Sequence, residues 1–308
     1  MRKKSLQKSA PQKPKLLVIL GPTASGKSDL AILLAKKFDG EVISADSRQV
    51  YKGLDIGTGK ITKKEMRGIP HHLLDVVNPR VTFTVTKWKD MAEKIIADIV
   101  RRGKLPIIVG GTGFYIQAIV DDISVPEVKP NKALRAQLEQ KTAAELFVLL
   151  QKLDPRRAQE IDAKNPRRLI RAIEIARELG NVPDLKKEGS KKYEILQIGI
   201  ATDDKVLKEK IHKRLVARIK KGMVAEAGRV HKEGLSWKRM EELGLEYRSL
   251  ARYLQEKITK KQMAEELTQA IWQYAKRQRT WFKKDKRIQW FPLKQKKSIE
   301  AVVEKFLR

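Results

Sequence analysis

The sequence predicts an α/β fold: a parallel sheet flanked by helices, with a helical insert domain and a helical C-terminal part. Three observations predict it. Short apolar runs alternate with amphipathic helical patterns in the first part of the chain, which is typical of a parallel sheet. The first apolar run passes through a glycine-rich loop directly into a helix. Near residue 125, two prolines introduce a stretch with helical patterns and no convincing strand.

The N-terminal elements follow a strand, helix, strand order. Residues 16–20 are a short apolar run that ends in a Gly-Pro break, as a buried parallel strand does. The next segment, SDLAILLAKKFDG, carries leucines at helical spacing, and Gly40 stands where a C-terminal cap belongs. EVISAD then predicts a second strand that ends at Asp46.

The later elements repeat this alternation. Residues 84–102 predict an amphipathic helix that stops at Gly103. Its apolar face is expected to consist of Trp88, Met91, Ile95 and Ile99. LPIIVGGT predicts a third strand that ends in a glycine pair, and YEILQIGI, residues 193–200, predicts a strand that returns to the sheet. Residues 203–290 are predicted to be mostly helical, and one helix begins with a capping box at Thr259.

This reading divides the chain into three parts. Residues 1–14 are basic and are expected to form a disordered arm. Residues 15–124 together with 190–308 are expected to form the core that carries the glycine-rich loop. Residues 125–189 are expected to form the helical insert.

The charge balance indicates a polyanionic partner. The 308 residues carry a formal net charge of +30 and a pI near 10.1, which favours nucleic acid before a membrane surface. The alternative is a lysine-rich surface without a specific partner. Cysteine is absent, which excludes disulfides, thiolate nucleophiles and cysteine-type zinc sites. Because the sequence has no apolar run of about 18 residues and no apolar segment after its basic start, we expect a cytoplasmic protein without a transmembrane helix.

The loop GPTASGKS, residues 21–28, matches the phosphate-binding pattern GxxxxGK[ST] and lies between a strand and a helix, as that pattern requires. Its glycines let backbone N–H groups turn toward phosphate oxygens, and the helix N-terminus adds a positive dipole. Lys27 is suited to bridging phosphates and Ser28 to binding Mg²⁺. The fold is therefore predicted to be P-loop NTPase-like. The usual inference is an ATPase or a kinase, but the loop recognises phosphates and does not define a reaction.

Two further features lie at the carboxyl ends of predicted strands, where parallel sheets bind ligands. Asp46 can form a turn or helix cap, ligate Mg²⁺, or act as a general base, and its position alone does not separate these roles. Gly110, Gly111 and Thr112 can form a flexible turn or allow a ligand to approach the backbone closely.

Several blocks of the sequence together resemble one family. GPTASGKS, ISADSRQVYKGLDIGTGK, PHHLLD, IIVGGTGFYIQA, NPRRLIRAIEI and AKRQRTWFKK occur in this order and cover almost the whole chain from residue 16 onward. In this combination they resemble the tRNA dimethylallyltransferases, also called tRNA isopentenyltransferases. The absence of cysteine means that the chain resembles the shorter members, which have no C-terminal zinc finger.

The resemblance implies a reaction, in which a dimethylallyl group passes from dimethylallyl diphosphate to the exocyclic amine of the adenosine just 3′ of the tRNA anticodon, position 37. The loop would then hold the leaving diphosphate rather than ATP. The residues implied in diphosphate binding are Gly21, Pro22, Thr23, Ala24, Ser25, Gly26, Lys27 and Ser28, with Mg²⁺ on Ser28. Backbone N–H groups, Lys27 and Mg²⁺ would stabilise the departing charge.

The acceptor side is implied in the same way. Asp46 would take a proton from the attacking amine, and the target base would have to be flipped out of its stack. The segment Asp46, Ser47, Arg48 and Gln49 would contact the flipped nucleotide, and Thr112 would meet the reacting base. The implied catalytic residues are thus Asp46, Thr112 and Lys27.

The helix that follows Asn165 is a candidate RNA-binding element. Asn165 is a suitable N-cap and Pro166 suits the first helical position. The segment expected to contact tRNA is Arg167, Arg168, Leu169, Ile170 and Arg171, and Arg135 matches another family contact. The alternative is a solvated charged face, in which Glu174 and Glu178 balance the arginines.

The C-terminal stretch also combines basic and aromatic residues. Residues 276–308 contain twelve Lys/Arg and three acidic residues. Tyr274, Trp281, Phe282 and Trp290 interleave with this charge, which is typical of RNA binding. The alternative is that the aromatic residues belong to the core, and we expect this for Trp281 and Phe282.

The sequence departs from the family at its C-terminal diphosphate contacts. In RMEELGLEYRS, Arg248 is expected to fill one of two basic positions, while Arg239 is only a candidate for the other. His71 and His72 match a family block and are assigned packing or turn roles. The expected partners are the tRNA anticodon stem-loop and dimethylallyl diphosphate, and a monomer is expected. The alternatives are an adenylate isopentenyltransferase, a P-loop kinase or ATPase acting on RNA, and a non-catalytic RNA-binding protein.

Overall fold

A computed structural model describes residues 13–184, 190 and 192–308. The chain divides into two compact units, one formed by residues up to 122 together with those from 189 onward, the other by residues 123–188. The predicted basic arm lies outside the described residues apart from Lys13 and Pro14. Pro14 already lies beside the sheet, because its carbonyl accepts the Glu194 N–H at 3.0 Å.

The described residues contain six strands and fourteen helices. The strands are β1 (Lys15–Leu20), β2 (Gly40–Ala45), β3 (His71–His72), β4 (Leu105–Gly110), β5 (Glu194–Ala201) and β6 (Gln289–Pro292). The first helices are α1 (Lys27–Lys37), α2 (Lys63–Met66), α3 (Val85–Arg101) and α4 (Gly113–Val120). The second unit holds α5 (Lys132–Leu138), α6 (Ala143–Leu153), α7 (Pro155–Glu160) and α8 (Pro166–Leu179). The remaining helices are α9 (Asp204–Lys220), α10 (Met223–Lys232), α11 (Trp237–Leu243), α12 (Leu245–Leu254), α13 (Lys260–Phe282) and α14 (Lys296–Leu307).

The first unit is built on one parallel sheet with the order β3-β2-β4-β1-β5-β6. The central strand β1 is buried along nearly its whole length because helices cover both faces. Its side chains alternate between two cores: Leu16 and Val18 join the core that includes Trp88, whereas Leu17 and Ile19 join the core under α1 and α14. The predicted parallel α/β fold is confirmed.

Three details differ from the sequence-based expectations. The left-handed position after α1 falls on Asp39, with φ 46°, and Gly40 instead opens β2. A side chain at Gly40 would meet Leu105 and Ile107 of the neighbouring strand, which explains the glycine there. Residues 203–290 were expected to be mostly helical, but a strand, β6, begins at the end of this region.

Helix α3 also buries a slightly different face from the one expected. Thr84 caps it by accepting the Lys87 N–H at 3.3 Å. The fully buried residues are Trp88, Ala92, Ile96 and Ile99. Met91 and Ile95 are only half-buried, because they lie on the flank of the stripe that faces the core.

A buried ion cluster fixes the β3 edge. Glu41, 3% exposed, accepts from His72 Nε2 at 2.8 Å and from both terminal nitrogens of Arg102. The hydrogen bonds from Arg102 are the main cause that lowers the pKa of Glu41 to about 2. His71 Nδ1 bonds the Ile69 carbonyl at 2.8 Å. Both histidines therefore have the structural partners expected of them.

The second unit is helical, and its described residues contain no strand. Asn165 caps α8 by accepting the Arg168 N–H at 3.3 Å, as its sequence suggested. The core of this unit lies between α6 and α8 and includes Leu169, 0% exposed, and Ile170, 7% exposed. No helix among the described residues of either unit is long and apolar enough to span a membrane.

Candidate active site

The carboxyl ends of β1, β2 and β4 meet at one edge of the sheet. In the strand register, Gly110 of β4 is paired with Leu20 of β1 and with Ala45 of β2. The phosphate-binding loop, Asp46 and the Gly111–Thr112 turn follow directly from these three paired residues. The convergence predicted from the sequence is therefore confirmed. One pocket at this edge is lined by Thr23, Ala24, Lys27, Ser28, Asp46, Gln49, Thr58, His71, Gly110, Gly111, Arg214, Tyr274 and Gln278, among others.

The loop has the backbone of a phosphate cradle. Gly26, with φ 94°, is the N-cap of α1, and a Cβ there would run into Leu293, so only glycine suits both constraints. Lys27 donates from Nζ to the Pro22 carbonyl at 2.6 Å. Ser28 is exposed and lines the pocket. The hydroxyl of Ser25 is fully buried and has no hydrogen-bond partner among the described residues.

Asp46 is both a turn former and a pocket residue. Its Oδ1 accepts the N–H groups of Arg48 at 2.8 Å and Gln49 at 3.3 Å, which fixes the turn after β2. The second carboxylate oxygen has no protein partner among the described residues. Thr112 Oγ1 accepts the Ser47 N–H at 3.0 Å and so joins the β4 end to the β2 end. Thr112 itself is not among the residues that line the pocket, although the preceding Gly110 and Gly111 are.

Helix α13 holds the loop against β4 through one side chain. Gln278, 6% exposed, accepts the Thr23 N–H at 2.8 Å and donates from Nε2 to the Gly111 carbonyl at 2.9 Å. A Cβ at Gly111 would clash with this amide, which accounts for a glycine there. Tyr274 lies one turn earlier, and burial raises the pKa of its hydroxyl to about 12.

The pocket sets two cations against one carboxylate. Burial, together with the charge of Arg214, lowers the pKa of the Lys27 amine to about 7, and the charge of Asp46 opposes part of the shift. Arg214 is fixed by a bond from Nη2 to the Gly59 carbonyl at 2.8 Å. A divalent anion in this pocket would relieve the repulsion between the two cations. The electrostatics thus favour phosphate groups on the loop side.

The structure does not place every predicted residue at this pocket. Arg248 is exposed, is absent from the pocket wall, and makes only long contacts of 3.4 and 3.5 Å to the Glu241 carbonyl. Arg239 donates to the Pro79 carbonyl at 2.8 Å and to the Tyr51 hydroxyl at 3.1 Å, so it braces a turn. The structure therefore does not bring Arg248 to the pocket wall, where Arg214 is the second cation, and a diphosphate contact by Arg248 stays a prediction.

Within the second unit, the predicted RNA-contacting residues separate into two groups. Arg167 and Arg168 are exposed, and Arg171 is half-buried. The side chains of Leu169 and Ile170 are packed in the unit's core and are not available to a ligand. The carboxylate expected to balance the arginines at the surface is also buried: Glu174 accepts two bonds of 2.7 Å from Arg135.

The aromatic residues near the C-terminus also separate. Phe282 is buried, as expected, whereas Trp281 is 38% exposed. The buried stripe of α13 runs through Ala275, Gln278 and Phe282, and Trp281 lies one residue off it. Trp281 packs on the backbone of Gly113.

Sequence reasoning missed two pocket residues that left a signal. Arg214 lies at helical spacing from the buried Ile211 and Leu215, which places it on an inward face. Gln278 interrupts the apolar stripe of α13 in the same way. A polar side chain in a buried stripe either finds a partner or serves a site, and this pattern identifies both residues.

A phosphate-binding loop between β1 and α1, at the carboxyl edge of a parallel sheet, defines a P-loop protein. The sequence profile of the family described as IPP transferase matches residues 49–285. The chain belongs to the IPP transferase family, and the prediction of a transferase of this kind is confirmed.

Curated relatives and solved structures agree with this assignment. A tRNA dimethylallyltransferase of Anoxybacillus flavithermus is 40% identical over 297 residues, which cover 95% of each chain. The tRNA dimethylallyltransferase 2 of Treponema denticola is 43% identical over 272 residues, covering 87% of this chain and 91% of the relative. The tRNA isopentenylpyrophosphate transferase of Bacillus halodurans has a similar structure, with a TM-score of 0.73 and 34% identity over 96% of this chain and 97% of that chain. A eukaryotic dimethylallyltransferase studied acting on tRNA has a TM-score of 0.72 and 29% identity, covering 87% of this chain and 69% of that chain.

Proposed function

We propose that this protein transfers a dimethylallyl group from dimethylallyl diphosphate to the exocyclic amine of the adenosine at tRNA position 37. The observation that carries the proposal is that two cations, Lys27 and Arg214, and one carboxylate, Asp46, line the same pocket. A substrate that ionises into an allylic carbocation and an anion needs cations at its leaving end and a proton acceptor at the other. Both kinds of group line this pocket: Lys27 begins the helix after the loop that follows β1, Arg214 lies on α9, and Asp46 follows β2.

The leaving group lies on the loop in this proposal. As the bond between the allylic carbon and the diphosphate oxygen breaks, the electron pair leaves with the diphosphate. Lys27, Arg214 and the backbone N–H groups of the loop stabilise that growing charge in a fixed geometry. The buried hydroxyl of Ser25 offers a further donor within the same loop.

Mg²⁺ fits this site as a partner of the diphosphate rather than of a protein cage. No group of three or more His, Cys, Asp or Glu side chains suited to a metal occurs among the described residues. Mg²⁺ commonly binds through one or two protein oxygens, substrate phosphates and water. The Ser28 hydroxyl lines the pocket and would supply such an oxygen. When bound, the ion would neutralise charge on the diphosphate.

Asp46 acts on the acceptor side. The exocyclic amine attacks the allylic carbon, forms the new carbon–nitrogen bond, and passes one proton to the Asp46 carboxylate. Oδ1 is held by the amides of Arg48 and Gln49 and Asp46 lines the pocket, so we assign this transfer to the second carboxylate oxygen. The adenosine must be flipped out of its stack first, at a cost of a few kcal/mol. Thr112, which accepts the Ser47 N–H, then fixes the turn against which the base rests.

The tRNA backbone is proposed to bind basic residues of the insert. Arg167 and Arg168 are exposed and their side chains have no partner among the described residues, so their charge is available to phosphates. Arg171 is half-buried and 3.4 Å from the Glu174 carboxylate, which leaves part of its charge available. The net charge of +30 on the whole chain favours the same class of partner.

The test is direct. The protein is incubated with Mg²⁺, dimethylallyl diphosphate and unmodified tRNA, and the tRNA is digested and examined by mass spectrometry for a prenylated adenosine. In a parallel reaction AMP replaces the tRNA, because an adenylate isopentenyltransferase would modify the free nucleotide. We expect prenylated tRNA and unmodified AMP. Bound but unmodified tRNA would refute the proposed reaction.

A further inference from the structure

A short loop after β2 is held by an unusual anchor. The loop, residues 55–59 with the sequence DIGTG, offers three successive backbone N–H groups to one carboxylate. Glu226 of α10 accepts from Asp55 at 3.0 Å and from Ile56 and Gly57 at 2.8 Å each. Glu226 is only 7% exposed, so its carboxylate lies in the interior and needs these loop N–H groups as hydrogen-bond donors.

A second side chain completes this anchor. Tyr247 of α12, 2% exposed, donates its hydroxyl to Glu226 Oε1 at 2.8 Å. A Cβ at Gly57 would clash with that hydroxyl at 2.7 Å, so the loop lies directly on the Tyr247 ring. The carboxylate of Glu226 thus accepts four hydrogen bonds from two sides.

The other end of the loop reaches the pocket. The Gly59 carbonyl accepts from Arg214 Nη2 at 2.8 Å and from Gln49 Nε2 at 3.4 Å, and both of these side chains line the pocket. Thr58 lines the pocket itself. Gly59 has φ 61°, a left-handed conformation that aims its carbonyl at Arg214 and that an L side chain seldom adopts.

We propose that Glu226 is a positioning residue: it fixes the loop of residues 55–59 so that the Gly59 carbonyl holds Arg214 and Gln49 in place for the diphosphate and the acceptor. This inference rests on the proposed function for the identity of the anion. Glu226 itself is absent from the pocket wall and touches no reacting atom. It acts on the pocket indirectly, through the three loop amides, the Gly59 carbonyl and the Arg214 guanidinium.

The structure explains why an acid is needed at this position. Only a carboxylate accepts hydrogen bonds with both of its oxygens, and here every donor faces it from the loop or from Tyr247. An amide at residue 226 would turn an NH₂ group toward backbone N–H groups, which cannot accept from it. At least one loop amide would then lose its partner. Lys60 holds the loop independently, through Asp55 at 2.6 Å and the Tyr51 carbonyl at 2.8 Å, so the fold is retained.

The test compares Glu226→Gln with the wild type in binding of magnesium diphosphate by calorimetry. We expect the affinity to fall about tenfold to a hundredfold, since misplaced supporting groups typically cost that much. Hydrogen exchange of the peptide that covers residues 54–60 is expected to accelerate. Glu233→Gln is the matched control, because Glu233 lies just beyond the same helix and pairs only with Arg229 at the surface. Glu226→Asp, which keeps the acceptors on a shorter stem, is expected to recover part of the affinity.

A double-mutant cycle separates positioning from general destabilisation. If Glu226 acts through Arg214, Glu226→Gln should cost little further affinity in an Arg214→Ala background. Full additivity, or wild-type diphosphate affinity in Glu226→Gln, would overturn the inference. Tyr247→Phe, which removes one hydroxyl, provides a milder variant if Glu226→Gln does not fold. The two substitutions could be non-additive in diphosphate binding while the wild type transfers no prenyl group. That result would refute the proposed function and leave this inference in place.

Discussion

Replacing Gln278 with leucine tests whether the phosphate-binding loop depends on its link to β4. Leucine has a similar size and no hydrogen-bonding groups, so the change removes two bonds and little volume. The Thr23 N–H and the Gly111 carbonyl both lose their partners. The Gly111 bond is buried, whereas the Thr23 bond is only partly so and its N–H can recover a water.

The expected magnitude follows from these environments. An unsatisfied buried group costs about 1–3 kcal/mol, so we assign about 2 kcal/mol to Gly111 and about 1 kcal/mol to Thr23. The free energy of unfolding should therefore fall by about 3 kcal/mol, which lowers the melting temperature of a unit this size by about 6–12 °C. Because Thr23 is freed, the loop also loses part of its fixed geometry, and we expect weaker binding of diphosphate.

Thermal unfolding and diphosphate calorimetry measure both effects. Gln273→Leu is the matched control, since it makes the same chemical change on an exposed face of α13. It should unfold and bind like the wild type. A Gln278→Leu protein that melts within a degree of the control and binds diphosphate normally would show that the link between loop and β4 carries no energy.

Three further outcomes are expected. Asp46→Asn keeps an oxygen for the turn amides but cannot take a proton. Single-turnover prenyl transfer should therefore fall by about 10²–10⁴ while tRNA affinity is retained. Unchanged turnover would exclude Asp46 as the base. The pKa of the Glu41 carboxyl is lowered to about 2 in the folded protein. The ionised carboxylate therefore stabilises the fold fully above the unfolded-state pKa, near 4.5, and this stabilisation is lost as the pH falls toward 2. Arg102→Met should therefore lower stability at neutral pH and move acid unfolding to higher pH, as followed by circular dichroism, and an unshifted acid transition would contradict this account. Arg167→Ala should weaken tRNA binding and lower the slope of log affinity against log salt concentration by about 1. The control Arg101→Ala removes an exposed arginine that is already paired with Asp98 and should have neither effect. Equal effects of the two substitutions would argue against a specific contact on the insert.

The parts of this fold that the sequence predicted are those encoded by local patterns. The strand β1, the loop after it and α1 follow from one apolar run, a spaced glycine motif and a helical periodicity within a short window. The capping box at Thr259 is equally local, since it needs only residues three apart. The meeting of three strand ends was predictable too, because parallel strands share a carboxyl edge.

The errors arose where tertiary contacts decide. Arg214 reaches the pocket from α9 across a long stretch of sequence, whereas Arg248 was expected there from a motif that this chain matches poorly. Trp281 was expected in the core because it is large and aromatic, but the neighbouring Phe282 occupies the buried position of α13. Gly40 was assigned to a helix end when its real constraint is the approach of β4. Each case depends on what lies across the contact, of which a single sequence shows at most a polar residue within a buried stripe.

The loop alone does not distinguish phosphoryl transfer from prenyl transfer, because it offers the same cations and N–H groups to either anion. The two reactions differ in what the carboxylate near the loop must do. In a phosphoryl-transfer enzyme, a carboxylate on the neighbouring strand typically holds the metal ion. Here one oxygen of the Asp46 carboxylate is held by two turn amides, and Asp46 lines the same pocket as Lys27 and Arg214. In the reaction proposed above, Asp46 takes the proton of the attacking amine while the cations hold the departing diphosphate. The carbon–nitrogen bond would form between these two fixed sets of charges.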